Sequence, residues 1–191
     1  DLGVKASIGN RLLFGESTEL GFMVGGSYDN TWRESQRVLR NVGDPTQQFD
    51  TINESTHSVN ISGTASIGLN IGYDHKLSMN SLFLRNTDDE TRIRDFFNEN
   101  REISDGLGFR NYRLRFEERE MYNWQVQGRH VLGEETRQLP ILQWLPDWLS
   151  QETAITWFYS DSQATTDIPN EVTVTSATVT DPVTAQVLSE A

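Results

Sequence analysis

Four arginines of one parity, Arg113, Arg115, Arg119 and Arg129, alternate along residues 109–132, and Asn111, Asn123, Gln125 and Gln127 share that parity. In an extended chain residues two apart lie on one face, so the guanidiniums form a ladder. Inward-facing arginines can attract an anionic cargo or dock another segment, because the group keeps its charge and forks onto carboxylates. They can equally bridge Glu117 and carboxylates of neighbouring strands, and the sequence leaves both readings open. Arg113, Arg115, Asn123, Gln125 and Arg129 are therefore the candidate substrate-binding residues. Other chemistry is sparse. Asp88-Asp89-Glu90 suggests a cation site or paired acids, against the plainer reading of a solvated strand end. His57, His75 and His130 fall at a strand end, in a turn and at a rim position, with no short metal-ligand spacing between them. There is no His-Glu-x-x-His, no nucleophile elbow and no Gly-rich phosphate loop. Gly25-Gly26 lies within a strand, where glycine marks a bend or a close approach. No catalytic residue, metal or cofactor is expected, and the chain is not read as an enzyme.

The elements that must hold the ladder are long strands. From Thr56 to Tyr73 the odd positions Val59, Ile61, Ala65, Ile67, Leu69 and Ile71 are apolar, while the even ones are small hydroxyls, amides and glycine. That is the period of a strand with one apolar and one wetted face. About fifteen residues at roughly 3.3 Å each span about 50 Å, well beyond the ~17–20 Å of ordinary globular strands. The length points to lipid on the apolar side. Residues 20–40 repeat the pattern through Leu20, Phe22, Val24, Tyr28 and Trp32 before it turns to Glu34 and Gln36. A lipid-facing charge costs roughly 2–4 kcal/mol at mid-bilayer and about 0–1 near the interface. Trp32 therefore reads as a belt residue, with Glu34 above the membrane. In 109–132, Tyr122, Trp124, Val126, Gly128, His130 and Leu132 form the lipid face, with His130 an amphipathic ring at the interface.

Three weaker strands are expected over 2–13, 77–87 and 152–163, the last with Phe158 against the pattern. Leu82 and Leu84 oppose the parity of Leu77, Met79 and Phe83, which a bulge near Ser81 or packing against something inside would reconcile. Tight turns are expected at 14–18 and 72–76, and longer polar loops, exterior to the cell, at 41–54 and 95–107. The link 133–151 should be periplasmic, with its aromatic stretch 139–149 lying in the headgroup plane at the barrel rim, the alternative being a short helix that caps a soluble core. The net charge of −12 argues against nucleic acid, and the lack of cysteine removes disulfides and thiolate metal sites. No apolar run approaches the ~20 residues of a membrane helix.

The expected fold is all-β: an antiparallel transmembrane β-barrel segment of about six long strands, too few to close a lumen alone. Residues 1–170 supply barrel strands and loops, and 171–191 a loop or the start of a further strand. A larger barrel, or several copies sharing one, would complete the sheet.

Gly72-Tyr73-Asp74-His75-Lys76-Leu77-Ser78 and Leu82-Phe83-Leu84-Arg85-Asn86-Thr87-Asp88-Asp89-Glu90 resemble barrel strands of TonB-dependent outer-membrane receptors. So do Glu117 to Gln125, Gly128-Arg129-His130 and Ala154 to Pro169, and the likeness extends over residues 20–170. The resemblance implies a barrel of about 22 strands stoppered by an N-terminal plug, which is not present in this chain. It further implies uptake of a small nutrient (ferric chelate, cobalamin or glycan type) driven by TonB, with outer-membrane lipid, the protein's own plug and TonB as partners. The localisation implied is the outer membrane of a Gram-negative bacterium. The alternatives are a passive porin-like barrel and a soluble cell-surface β-domain that binds a partner, its apolar faces packed sheet on sheet.

Overall fold

Sustained alternation needs two different surroundings for the two faces of a ribbon, and the chain folds as a single layer that provides them. The computed structural model describes residues 1–40, 49–98, 101–133, 136 and 153–190. Its strands are β1 (Leu2–Phe14), β2 (Thr18–Arg40), β3 (Phe49–Ile71), β4 (His75–Phe96), β5 (Leu107–Val131), β6 (Ala154–Thr180) and β7 (Val187–Glu190). They form one antiparallel meander in the order β1-β2-β3-β4-β5-β6-β7, without crossovers. β1 and β7 lie at open edges. Strands β2 to β6 run 22 to 27 residues, or roughly 70–90 Å at the usual rise. The connection from β4 to β5 carries a 3-10 turn, Ile103–Asp105.

The two hairpin turns are built alike. Phe14 faces Thr18 and Ile71 faces His75, each across a three-residue loop. Each loop opens on a glycine in the left-handed region, Gly15 at φ 67° and Gly72 at φ 59°, a conformation that a Cβ disfavours.

Residues directly opposite in the ladder share a face, so the register sorts the whole sheet. One face carries Ile8, Val24, Ile67, Met79, Val126 and Tyr159, together with the other apolar residues of the alternation. No second sheet or helix is stacked on it among the described residues. Ile67 is 51% exposed and Ile71 48% exposed. Among the described residues Ile52 and Phe97 are the buried apolar ones, and both lie near the long-loop end of the sheet. An apolar side without a core is the defining property of this fold.

The apolar band ends obliquely. On β2 it closes with Trp32 before Glu34, on β4 with Phe83 before Arg85, on β5 with Tyr122 before Glu120 and on β6 with Tyr159 before Asp161. Trp32 lies level with Asp89 of β4, Phe83 level with Tyr122, and Tyr159 level with Val126, further toward the turns. Ring pairs mark this edge: Trp32 stacks on His57 at 4.1 Å, Phe83 meets Tyr122 at 4.9 Å and Trp124 meets Tyr159 at 5.1 Å. Just past it, Arg85 pairs with Glu118 and Glu120.

Several expectations are corrected. β4 passes through Ser81 in unbroken register with both neighbours, so no bulge lies there. Leu84 instead sits beside Met121, itself opposite Ala164, in a small apolar spot on the polar face. The slip occurs in β6, where Ile168 and Pro169 together oppose the single Glu117. A bulge suits a proline, which has no N–H to give to the ladder. β6 therefore continues to Thr180, and the boundary expected at 170/171 falls inside it. β3 starts at Phe49 and β4 reaches Phe96, which shortens the two expected exterior loops. Asp88-Asp89-Glu90 lies within β4 and not at a strand end, with Asp88 accepting from the Ser58 hydroxyl at 2.6 Å. The stretch 139–149 lies outside the described residues.

Candidate functional site

The polar face carries the arginine ladder, and its register with β4 and β6 brings acids to it. Arg113 lies 3.0 Å from Glu171 and 4.0 Å from Glu90. Glu117 is only 7% exposed and sits between Arg115 at 2.8 Å and Arg119 at 2.6 Å. These arginines are thus neutralised within the sheet, as the bridging alternative expects. Asn123 donates to the Ser162 hydroxyl, while Gln125 lies between Asn80 and Ser160. Arg129 stands apart near the turn end, exposed and with no acid partner among the described residues. The ladder does not form one site: bridging accounts for three arginines and leaves one.

At the long-loop end, Arg110 grips Asp95 with Nε at 2.6 Å and Nη2 at 2.9 Å, and reaches Glu190 of β7 at 2.8 Å. Tyr112 donates to the same Glu190 oxygen at 2.6 Å. The Tyr112 hydroxyl and then the Arg110 guanidinium hold Glu190 below its ordinary value. Tyr112 is raised because its proton is given to that carboxylate. Arg110 is raised, chiefly by its bond to Asp95. A depressed carboxylate contributes stability that is fully present above its unfolded pKa and lost as pH falls through the lower folded value. β7 should therefore stay docked at neutral pH and detach only below the ordinary carboxylate range. Amide protection of Val187–Glu190 followed through acidification checks this. Loss of protection already between about pH 7 and 6, far above the ordinary carboxylate range, would assign the docking to another group.

A second cluster lies at the turn end, on the apolar face. Residues 55 apart in the chain, His75 and His130, meet Nδ1 to Nδ1 at 3.1 Å. Trp157 Nε1 donates to His130 Nε2 at 3.1 Å, and its ring lies over Gly128, where a Cβ would come within 2.5 Å of it. His75 Nε2 lies 3.2 Å from Thr136 Oγ1, which donates to Asp74 Oδ2 at 2.8 Å. An indole can only donate, which fixes the direction of the whole chain. His130 accepts at Nε2 and carries its proton on Nδ1; His75 accepts at Nδ1 and donates from Nε2 to Thr136. With His75 as donor, Thr136 has no imidazole base, so the arrangement ties the rim together and does not activate a nucleophile. Imidazole nitrogen NMR should show those opposite tautomers, and Trp157→Phe should release His130 to its usual Nε2–H form. A native His130 protonated on Nε2 would refute the assignment.

Spacing along the chain gives no sign of this cluster, because the two histidines become neighbours only through the β4–β5 register. His130 does occupy the rim of the apolar face, as its parity suggests, but as a link and not as a lone amphipathic ring. Among the described residues no group of three or more His, Cys, Asp or Glu is placed to hold a metal ion. No protein-family model, curated protein or solved structure matches the chain.

Proposed function

We propose that the chain is a wall segment of a TonB-dependent outer-membrane receptor that takes up a small nutrient. The observation that carries this reading is the long, uncovered apolar band of a sheet that is polar and charged on its other face. A soluble sandwich would cover Ile61, Ile67 and Ile71 with a second layer; lipid supplies that cover without one. The oblique upper edge supports it too, since a flat membrane surface crosses strands tilted by roughly 35–45° at successively shifted positions. Aromatic rings along that edge suit an interfacial belt.

Beyond the belt, β2 to β6 continue as a charged wall. Such a wall encloses a vestibule where exterior loops capture cargo, which favours a capture receptor over a plain passive pore. Further strands of the same barrel would pair the open edge of β1 and the part of β6 that β7 leaves unpaired, because unpaired backbone groups cost several kcal/mol each in lipid. Expressed from its intact gene in a Gram-negative host, the protein should fractionate with the outer membrane and support uptake of a ferric chelate, cobalamin or glycan. That uptake should stop when the inner-membrane proton gradient is collapsed. Uptake that persists would mark a passive porin-like barrel, and recovery in the aqueous fraction without detergent would mark a soluble surface domain.

A further inference from the structure

Near the turn end of the polar face, Lys76 of β4 stands directly opposite Arg129 of β5. Like charges so placed repel. The chain has 28 acids to 16 Lys and Arg, yet neither cation meets a carboxylate among the described residues, whereas Arg113, Arg115 and Arg119 all do. The row across four strands reads Asn70, Lys76, Arg129, Thr156. With Ser78 and Gln127 of the next row, these side chains line a groove. All six can donate hydrogen bonds and none is acidic. The carboxylate nearest along the row, Glu19 opposite Asn70, is already engaged by Arg11 at 3.0 Å.

We propose that this groove binds a small diffusible oxyanion, a polycarboxylate or a phosphate ester, bridged between Lys76 and Arg129. An anion there turns the repulsion of the opposed cations into two charge-assisted bonds, with the neutral donors completing its coordination. Arg129 supplies a fork that fits two oxygens, Lys76 a point charge. The assignment stands on the groove itself and holds whether lipid or another cover meets the opposite face.

The test uses the full chain in neutral detergent at low ionic strength, titrated calorimetrically with inorganic phosphate and with citrate. Saturable binding is expected for at least one probe, and the tighter one identifies the ligand class. Lys76→Gln and Arg129→Gln should each weaken it by about five- to tenfold, the loss of one charge-assisted contact. Arg37→Gln, whose guanidinium pairs with Glu54 at 2.7 Å at the other end of the face, should leave it within about twofold. Stability gives a second reading. Lys76→Gln should raise the unfolding midpoint in anion-free buffer, and phosphate or citrate should raise the native midpoint, raise that of the single variant less and leave that of the Lys76→Gln/Arg129→Gln double variant unchanged. Absence of saturation by both probes up to about 50 mM, well beyond millimolar affinity, would overturn the proposal. Native-like titration by the Lys76→Gln/Arg129→Gln double variant would overturn it equally, and neither result touches the membrane assignment.

Discussion

Ile67→Arg is expected to abolish insertion of the sheet into a bilayer, while Ser66→Arg, one residue away, leaves insertion intact. Ile67 lies in the apolar band between Phe22 and Met79, and its side chain is half exposed, with no second layer above it among the described residues. If hydrocarbon lies there, an arginine costs roughly 2–4 kcal/mol near the midplane, with no neighbouring acid to offset it. Ser66 occupies the other face, between Met23 and Asn80, where water can receive the charge. The measurement is assembly in lipid vesicles, followed by heat-modifiable migration and protease protection. Equal assembly of the two variants would remove the basis for placing lipid on the Ile67 side. A soluble sandwich predicts a different pair of outcomes: Ile67→Arg would disrupt sheet packing in water, with no dependence on lipid.

The contrast depends on a parity that is legible in the sequence wherever the alternation is clean. Residues 20–40 and 56–73 read directly because one parity is almost free of charge over the length of a membrane crossing. The reading falters where side chains depart from the two-face rule for local reasons. Leu82 and Leu84 look like a register error, yet they belong to the polar face, Leu84 packing beside Met121. Pro169 looks like the end of a strand, yet the β6 bulge accommodates it and the Thr/Val run beyond continues the ladder to Thr180. In both cases the deciding fact is the partner strand, which a single sequence does not reveal.

The candidate residues divide in the same way. That Arg113, Arg115, Arg119 and Arg129 share a face follows from their spacing alone. Which of them is spent on structure depends on register, since Glu90 and Glu171 reach Arg113 from β4 and β6. Lys76 carries no signal until β4 is laid against β5, and the His75–His130 pair emerges from the same ladder. Local chemistry is written in the chain; the pairing of distant strands is a property of the whole sheet.

Glu117 provides the sharpest energetic consequence of that pairing. It accepts from Arg119 Nε at 2.7 Å and forms ion pairs with Arg115 Nη2 at 2.8 Å and Arg119 Nη2 at 2.6 Å, at the point where Ile168 and Pro169 bulge from the neighbouring strand. Removing the carboxylate strands two guanidiniums four residues apart, one on each side of the position that faces the β6 bulge, where the ladder is already interrupted. Breaking a buried ion pair costs about 3–5 kcal/mol. The Arg119 side chain is 55% exposed, so solvent screens part of the loss, and Glu117→Ala should destabilise the sheet by about 2–3 kcal/mol. Glu117→Gln, which keeps the shape and one acceptor, should fall between Ala and native. Urea unfolding followed by the β-sheet signal measures both, with an unchanged slope required for the comparison. In the Glu117→Ala background, further change of Arg119 to Gln should recover part of the loss by removing one unpaired cation, a coupling a double-mutant cycle reads directly. An Ala variant within about 0.5 kcal/mol of native, the range of ordinary surface substitutions, would mean that Glu117 does not neutralise these arginines. They would then be free to meet an anionic cargo, and the selection of Arg129 from among them would lose its basis.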